Sequence, residues 1–142
     1  MIDLEKNEVY HDRLKKGCGK MDDLKLFDGE YKFACLVWDH EPVGSGELVK
    51  LSAEKLGWKK STTYTVLKKL CQKGILRNEH AVVTALVKRE AVQKYESQAV
   101  IEKAFDDSLP KFIASFLSDR KLSQQEAAEI LALIETHQET EQ

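Results

Sequence analysis

Two glycines constrain this chain most, because each closes a helical pattern of apolar residues and the pattern changes kind after the second. Leu48, Val49, Leu51 and Leu56 follow a helix start at Ser45 and stop at Gly57. Thr63, Val66, Leu67 and Leu70 recur at i, i+3, i+4 and i+7 from a start at Ser61 and stop at Gly74. Glycine suits the left-handed residue that ends a helix, so both positions read as C-caps. Beyond Gly74, Ile75-Leu76-Arg77 and the run Val82 to Val87 are β-rich, with turn-like Asn78-Glu79-His80-Ala81 between them. Upstream, Asp28 reads as an N-cap, and Tyr31, Ala34, Cys35 and Trp38 form an apolar stripe that ends near Asp39-His40. Pro42-Val43-Gly44 reads as a short extended link. Three helices followed by a hairpin is the winged-helix plan.

The rest of the chain predicts more helix. One helix spans Glu90 to about Phe105; Pro110 suits the first turn of a second, which carries Phe112, Ile113, Phe116 and Leu117. Ser123-Gln124-Gln125-Glu126 is a capping box opening a third, with Ala127, Ile130, Leu131 and Ile134 at helical spacing. Residues 1–23 are charge-rich, hold at most a weak helix over Asp3–Lys16, and end in a Gly17-Cys18-Gly19 linker. They read as a flexible extension, and Met21 is an alternative start. The expected organisation is an extension (1–23), a winged-helix DNA-binding domain (24–88) and a helical dimerisation region (89–139). The fold class is mainly α with a small β-hairpin: an N-terminal winged helix-turn-helix, then C-terminal helices.

Composition excludes several function classes. No apolar run reaches the length of a membrane span, and the first residues are too charged for a signal peptide, so a cytoplasmic protein is expected. Cys18, Cys35 and Cys71 are odd in number and belong to no C-x-x-C pair; Cys35 and Cys71 read as small core residues. The four histidines have no ligand spacing, so neither a metal nor another cofactor is expected. No Ser/His/Asp set, paired carboxylates or phosphate-cradling glycine loop can be assembled, which argues against an enzyme.

Charge is the stronger guide. The chain carries a net −2, yet Leu56 to Arg77 holds six cations (Lys59, Lys60, Lys68, Lys69, Lys73, Arg77) and no acid, while Glu90 to Gln142 carries eleven acids against five bases. On a helix the apolar stripe faces inward. Thr62, Thr65 and Lys69 then line the opposite face, flanked by Ser61, Tyr64 and Lys68. Short hydroxyl side chains allow close approach to base edges in a major groove, and their methyls can meet thymine methyls. Lys59, Lys60 and Lys68 would hold phosphates and fix the register. Such contacts predict a fall in affinity of roughly 10³-fold or more between about 50 and 200 mM salt for a dimer. Trp58 reads as a packing anchor rather than a base stacker.

These residues carry a resemblance. Glu30-Tyr31, Val37-Trp38, Glu41-Pro42 and Glu47-Leu48, followed by Trp58, Ser61 to Leu70 and Lys73-Gly74, are similar to the penicillinase-repressor family of transcriptional regulators. That family includes the methicillin-resistance and copper-transport repressors. The likeness covers about residues 24–138 and is strongest over 30–76. It implies a winged helix that binds inverted-repeat operators of TACA/TGTA type and a helical region that dimerises. By position it implies groove-facing Ser61, Thr62, Thr65 and Lys69, with phosphate contacts from Lys59, Lys60 and Lys68.

The departures are specific. Family wings commonly carry Gly, Arg or Lys and an aromatic strand residue; here the turn contains Glu79, so no strong phosphate contact by the wing is expected. The stretch Gln98-Ala99-Val100-Ile101 lacks the Asn–Phe-like bond at which β-lactam-branch repressors are cleaved. No cysteine follows Cys71, so the paired C-x-C motifs of the copper branch are absent. An upstream protease or sensor is therefore not identified.

The C-terminal helices predict a homodimer. Phe105, Leu109, Phe112, Ile113, Phe116, Leu117, Leu122, Ile130, Leu131 and Ile134 are too many large apolar side chains for three short helices to bury among themselves. At ~25 cal/mol per Å² an interface of ~1,600 Å² supplies ample gross stabilisation. The expected function is a dimeric repressor that binds a double-stranded operator through the helix Ser61–Lys73. The other reading is a winged-helix protein-interaction module with little or no DNA binding.

Overall fold

The computed structural model describes residues 24–139. The expectations for residues 1–23, including Cys18 and the start at Met21, lie outside them. Six helices and three short strands follow in the order α1 (Asp28–His40), β1 (Val43–Gly44), α2 (Ser45–Leu56), α3 (Lys60–Gln72), β2 (Leu76–Glu79), β3 (Val82–Ala85), α4 (Arg89–Ala104), α5 (Leu109–Leu117) and α6 (Gln124–His137). The described residues fall into two compact units that divide within α4, between Gln98 and Ala99.

The first unit is a winged helix. Its core is filled by Phe33, Ala34 and Val37 from α1, Leu48 from α2, Leu67 and Leu70 from α3, Ile75 just before β2, Leu76 and Val83 from the strands, and Val92 from α4. The buried face of α1 differs from the expected one. Phe33, Ala34 and Val37 face the core, whereas Tyr31, Cys35 and Trp38 are half-buried, a turn of about 100° round the helix. The reason lies in their polar atoms: Trp38 keeps its indole at the edge, where Nε1 donates to the Val87 carbonyl at 2.9 Å. Wholly apolar side chains take the centre.

The start of α1 is also corrected. Asp28 is the first helical residue, with its carboxylate 3.4 Å from Lys32 on the surface, and Phe27 precedes it as N-cap. Glu30 reaches back instead, accepting the Phe27 N–H at 2.9 Å.

Both glycine stops behave as expected. Gly57 (φ 69°) and Gly74 (φ 76°) are left-handed. At the end of α3 the Gly74 N–H bonds to the Cys71 carbonyl and the Ile75 N–H to the Leu70 carbonyl, each at 3.0 Å. This paired arrangement is a Schellman motif, and it turns the chain directly into β2.

The hairpin is tighter than its sequence suggests. Asn78 and Glu79, expected in the turn, pair with Val83 and Val82 in the ladder. The turn closes on His80 and Ala81 alone, both left-handed (φ 53° and 63°). Val43-Gly44, read as a link, forms a third strand against Val83 and Val82, giving the antiparallel order β1-β3-β2. The Ser45 N–H then bonds to the Ala81 carbonyl at 2.8 Å, fixing the start of α2 to the turn.

The first two turns of α4 belong to this unit. Val92 is fully buried, and Arg89 meets Asp39 at 2.6 Å while its guanidinium lies 5.5 Å from the Trp38 ring centre. The hydrogen bond from Arg89 holds the Asp39 carboxyl below its usual range, helped by the cation's charge and opposed by slight burial. In the second unit, Ser108 and Ser123 cap α5 and α6 by accepting the N–H groups of Lys111 and Glu126.

Candidate nucleic-acid interface

Helices α2 and α3 are joined by Gly57, Trp58 and Lys59, a three-residue turn with glycine at its start. Trp58 anchors that turn: its ring stacks on Phe33 at 5.9 Å with 16° between planes, so it packs inward. Thr63, Leu67 and Leu70 fix the rotation of α3 by burial, with Val66 half-buried beside them. The helix starts at Lys60, one residue before the expected Ser61, and ends at Gln72. Lys59 is its N-cap, and no side chain caps it.

With the inner stripe buried, Lys59, Lys60, Ser61, Thr62, Tyr64, Thr65, Lys68 and Lys69 are all exposed. The hydroxyls are not equivalent. The Thr65 hydroxyl donates to the Ser61 carbonyl at 2.9 Å, so its proton is already used and its oxygen remains an acceptor. Buried Thr63 donates in the same way to the Lys59 carbonyl at 3.2 Å.

The six cations of the basic stretch separate into two groups. Lys73 is drawn back to the protein body: its ammonium lies 3.0 Å from Glu30 Oε1 and 3.3 Å from the Lys25 carbonyl, and 5.3 Å from the Phe27 ring centre. Glu30 is buried, and its second oxygen, Oε2, has no hydrogen-bond partner among the described residues. Arg77 pairs along β2 with Glu79 at 2.6 Å, so the one acid of the hairpin pairs with a cation of the same strand. Among the described residues no acid pairs with Lys59, Lys60, Lys68 or Lys69.

The sequence pattern missed one residue on this face. Gln72 is exposed, seven residues beyond Thr65, and so returns to nearly the same side of the helix. Its only signal is that spacing.

In the second unit no described residue from 99 to 139 is buried. Phe105, Phe112 and Leu117 are half-buried, with Phe112 between Phe105 at 5.4 Å and Phe116 at 6.0 Å. Leu109, Ile113, Phe116, Ile130, Leu131 and Ile134 are exposed. Leu133, which lies off the expected stripe, is 61% exposed and widens the apolar arc of α6. Its position three residues after Ile130 was a readable signal.

Among the described residues no group of three or more His, Cys, Asp or Glu side chains is placed to hold a metal ion. No described helix is long and apolar enough to cross a membrane.

Comparison with known proteins gives a consistent result. A family model described as penicillinase repressor matches residues 28–136. A penicillinase repressor of Bacillus licheniformis is 24% identical over 118 residues, covering 80% of this chain and 91% of that protein.

Proposed function

The chain belongs to the penicillinase repressor family, and from that premise we propose that it is a dimeric, cytoplasmic transcriptional repressor of an inverted-repeat operator. In this reading α3 enters the major groove. Ser61, Thr62, Thr65 and Lys69 face base edges, with Tyr64 at their flank, while Lys59, Lys60 and Lys68 hold phosphates. The observation that carries it is the exposure of all these residues on one acid-free helix and the N-cap that precedes it.

The dimer is part of the same proposal. A second copy would cover the apolar faces of α5 and α6, and two-fold symmetry would present α3 to each half-site. The residues that would meet are Phe105, Leu109, Phe112, Ile113, Phe116, Leu117, Ile130, Leu131 and Ile134, joined by Leu133.

The test is duplex binding by the full chain across a salt series, with and without Lys68→Ala plus Lys69→Ala. Each phosphate contact adds roughly 0.9 to the slope of log affinity against log salt, so loss of Lys68 should lower it by about 0.9 per protomer, while loss of Lys69 from the groove weakens binding further. Unchanged binding and slope would remove α3 from the interface.

A further inference from the structure

Gln72 differs in chemistry from every other side chain on the outward face of α3. Ser61, Thr62 and Thr65 offer single hydroxyls, Tyr64 at the flank offers a phenol, and Lys68 and Lys69 offer donors only. A carboxamide holds a donor and an acceptor in one plane. That pair matches N7 and the N6 amino group of adenine, side by side in the major groove.

Its placement is equally specific. Gln72 is the last residue of α3, held in helical geometry by the hydrogen bonds that close on Gly74 and Ile75. It stands three and four residues beyond Lys69 and Lys68, and within about 20° of Thr65 around the axis. Along the axis it lies about 10 Å beyond Thr65, far enough to meet a different base pair. Two local facts leave it available. Lys73, next in sequence, is held away by Glu30 and the Lys25 carbonyl. No described residue hydrogen-bonds the Gln72 carboxamide.

We propose that Gln72 is a specificity-determining residue that reads one adenine in each half-site. This rests on the DNA-binding reading above and adds to it a base identity that the hydroxyl face cannot supply. A hydroxyl serves several bases about equally, whereas a bidentate amide distinguishes adenine from guanine, whose O6 replaces the N6 donor with an acceptor.

The experiment is selection of duplexes from a randomised pool by the full chain at fixed salt, for the wild type, Gln72→Ala and Gln72→Lys. The site is exposed and helical, so both substitutions leave the fold intact. The wild type should select a consensus with one adenine per half-site that becomes degenerate in Gln72→Ala, a loss of about 5- to 150-fold in discrimination at that position. Gln72→Lys should exchange that preference for guanine, and the salt slope of Gln72→Ala should match the wild type. The assignment is overturned if Gln72→Ala selects the wild-type consensus unchanged, or if it weakens all sequences equally with a lower salt slope. A wild-type pool with no consensus removes both this assignment and the operator-binding reading.

Discussion

Lys73 lies in the same acid-free stretch as Lys68 and Lys69, yet its ammonium is 3.0 Å from the buried carboxylate of Glu30. Its charge already serves the fold, tying the end of α3 to the start of α1. Replacing it leaves a buried acceptor without its strongest donor, a loss of about 1–3 kcal/mol. Lys73→Ala is therefore expected to lower the urea midpoint while leaving the salt slope of DNA binding unchanged. A lower slope with unchanged stability would place Lys73 on phosphate instead. Counting charge along the sequence gives six cations; the packing leaves four without an acid partner among the described residues. No periodicity reveals this, because Glu30 and Lys73 are separated by 43 residues.

The elements were more legible than their faces. Gly57 and Gly74 marked the helix ends correctly, because a left-handed residue after a helix is a local demand that glycine meets at little cost. The inward stripe of α3 was legible for the same reason, its apolar residues having a single face to occupy. In α1 two candidate faces competed, and the choice depended on where the Trp38 indole found its acceptor. The hairpin shows the same limit. His80 and Ala81 both adopt left-handed backbone, which costs an L-residue other than Asn, Asp or Gly about 1–2 kcal/mol. Ala81→Gly should relieve that strain, less the added freedom of the unfolded chain, for a net gain of about 0.5–1 kcal/mol in thermal or urea unfolding. The Ser45–Ala81 bond uses the backbone carbonyl and is retained. A loss of stability would show that Ala81 is not held in that conformation.

At the scale of the whole molecule the two units have opposite characters. The winged helix has a closed core, whereas α5 and α6 present Leu109, Ile113, Phe116, Leu131 and Ile134 to solvent. Exposed large apolar side chains in that number fit the dimer surface proposed above. On the proposed dimer, Phe116→Asp combined with Leu131→Asp is expected to shift the mass to that of one chain by sedimentation equilibrium. Affinity for a paired operator should then fall to that for a single half-site, since the two modules no longer act as one ligand. Wild-type light scattering at the mass of one chain, about 16.2 kDa, would sink the dimer.

By itself the sequence determined the order of the helices and the hairpin, the ends of α2 and α3, the acid-free outward face and the surplus of apolar residues in the C-terminal helices. Each depends on periodicity or on a backbone preference confined to one turn, and such rules act between near neighbours. Tertiary structure alone decided which lysines keep their charge free, which face of α1 is buried, and that Val43-Gly44 pairs as a strand. Each of those depends on partners brought together by folding, Glu30 with Lys73, Trp38 with Val87 and Val43 with Val83. No local preference encodes such pairings, because their energy exists only once the chain has closed on itself.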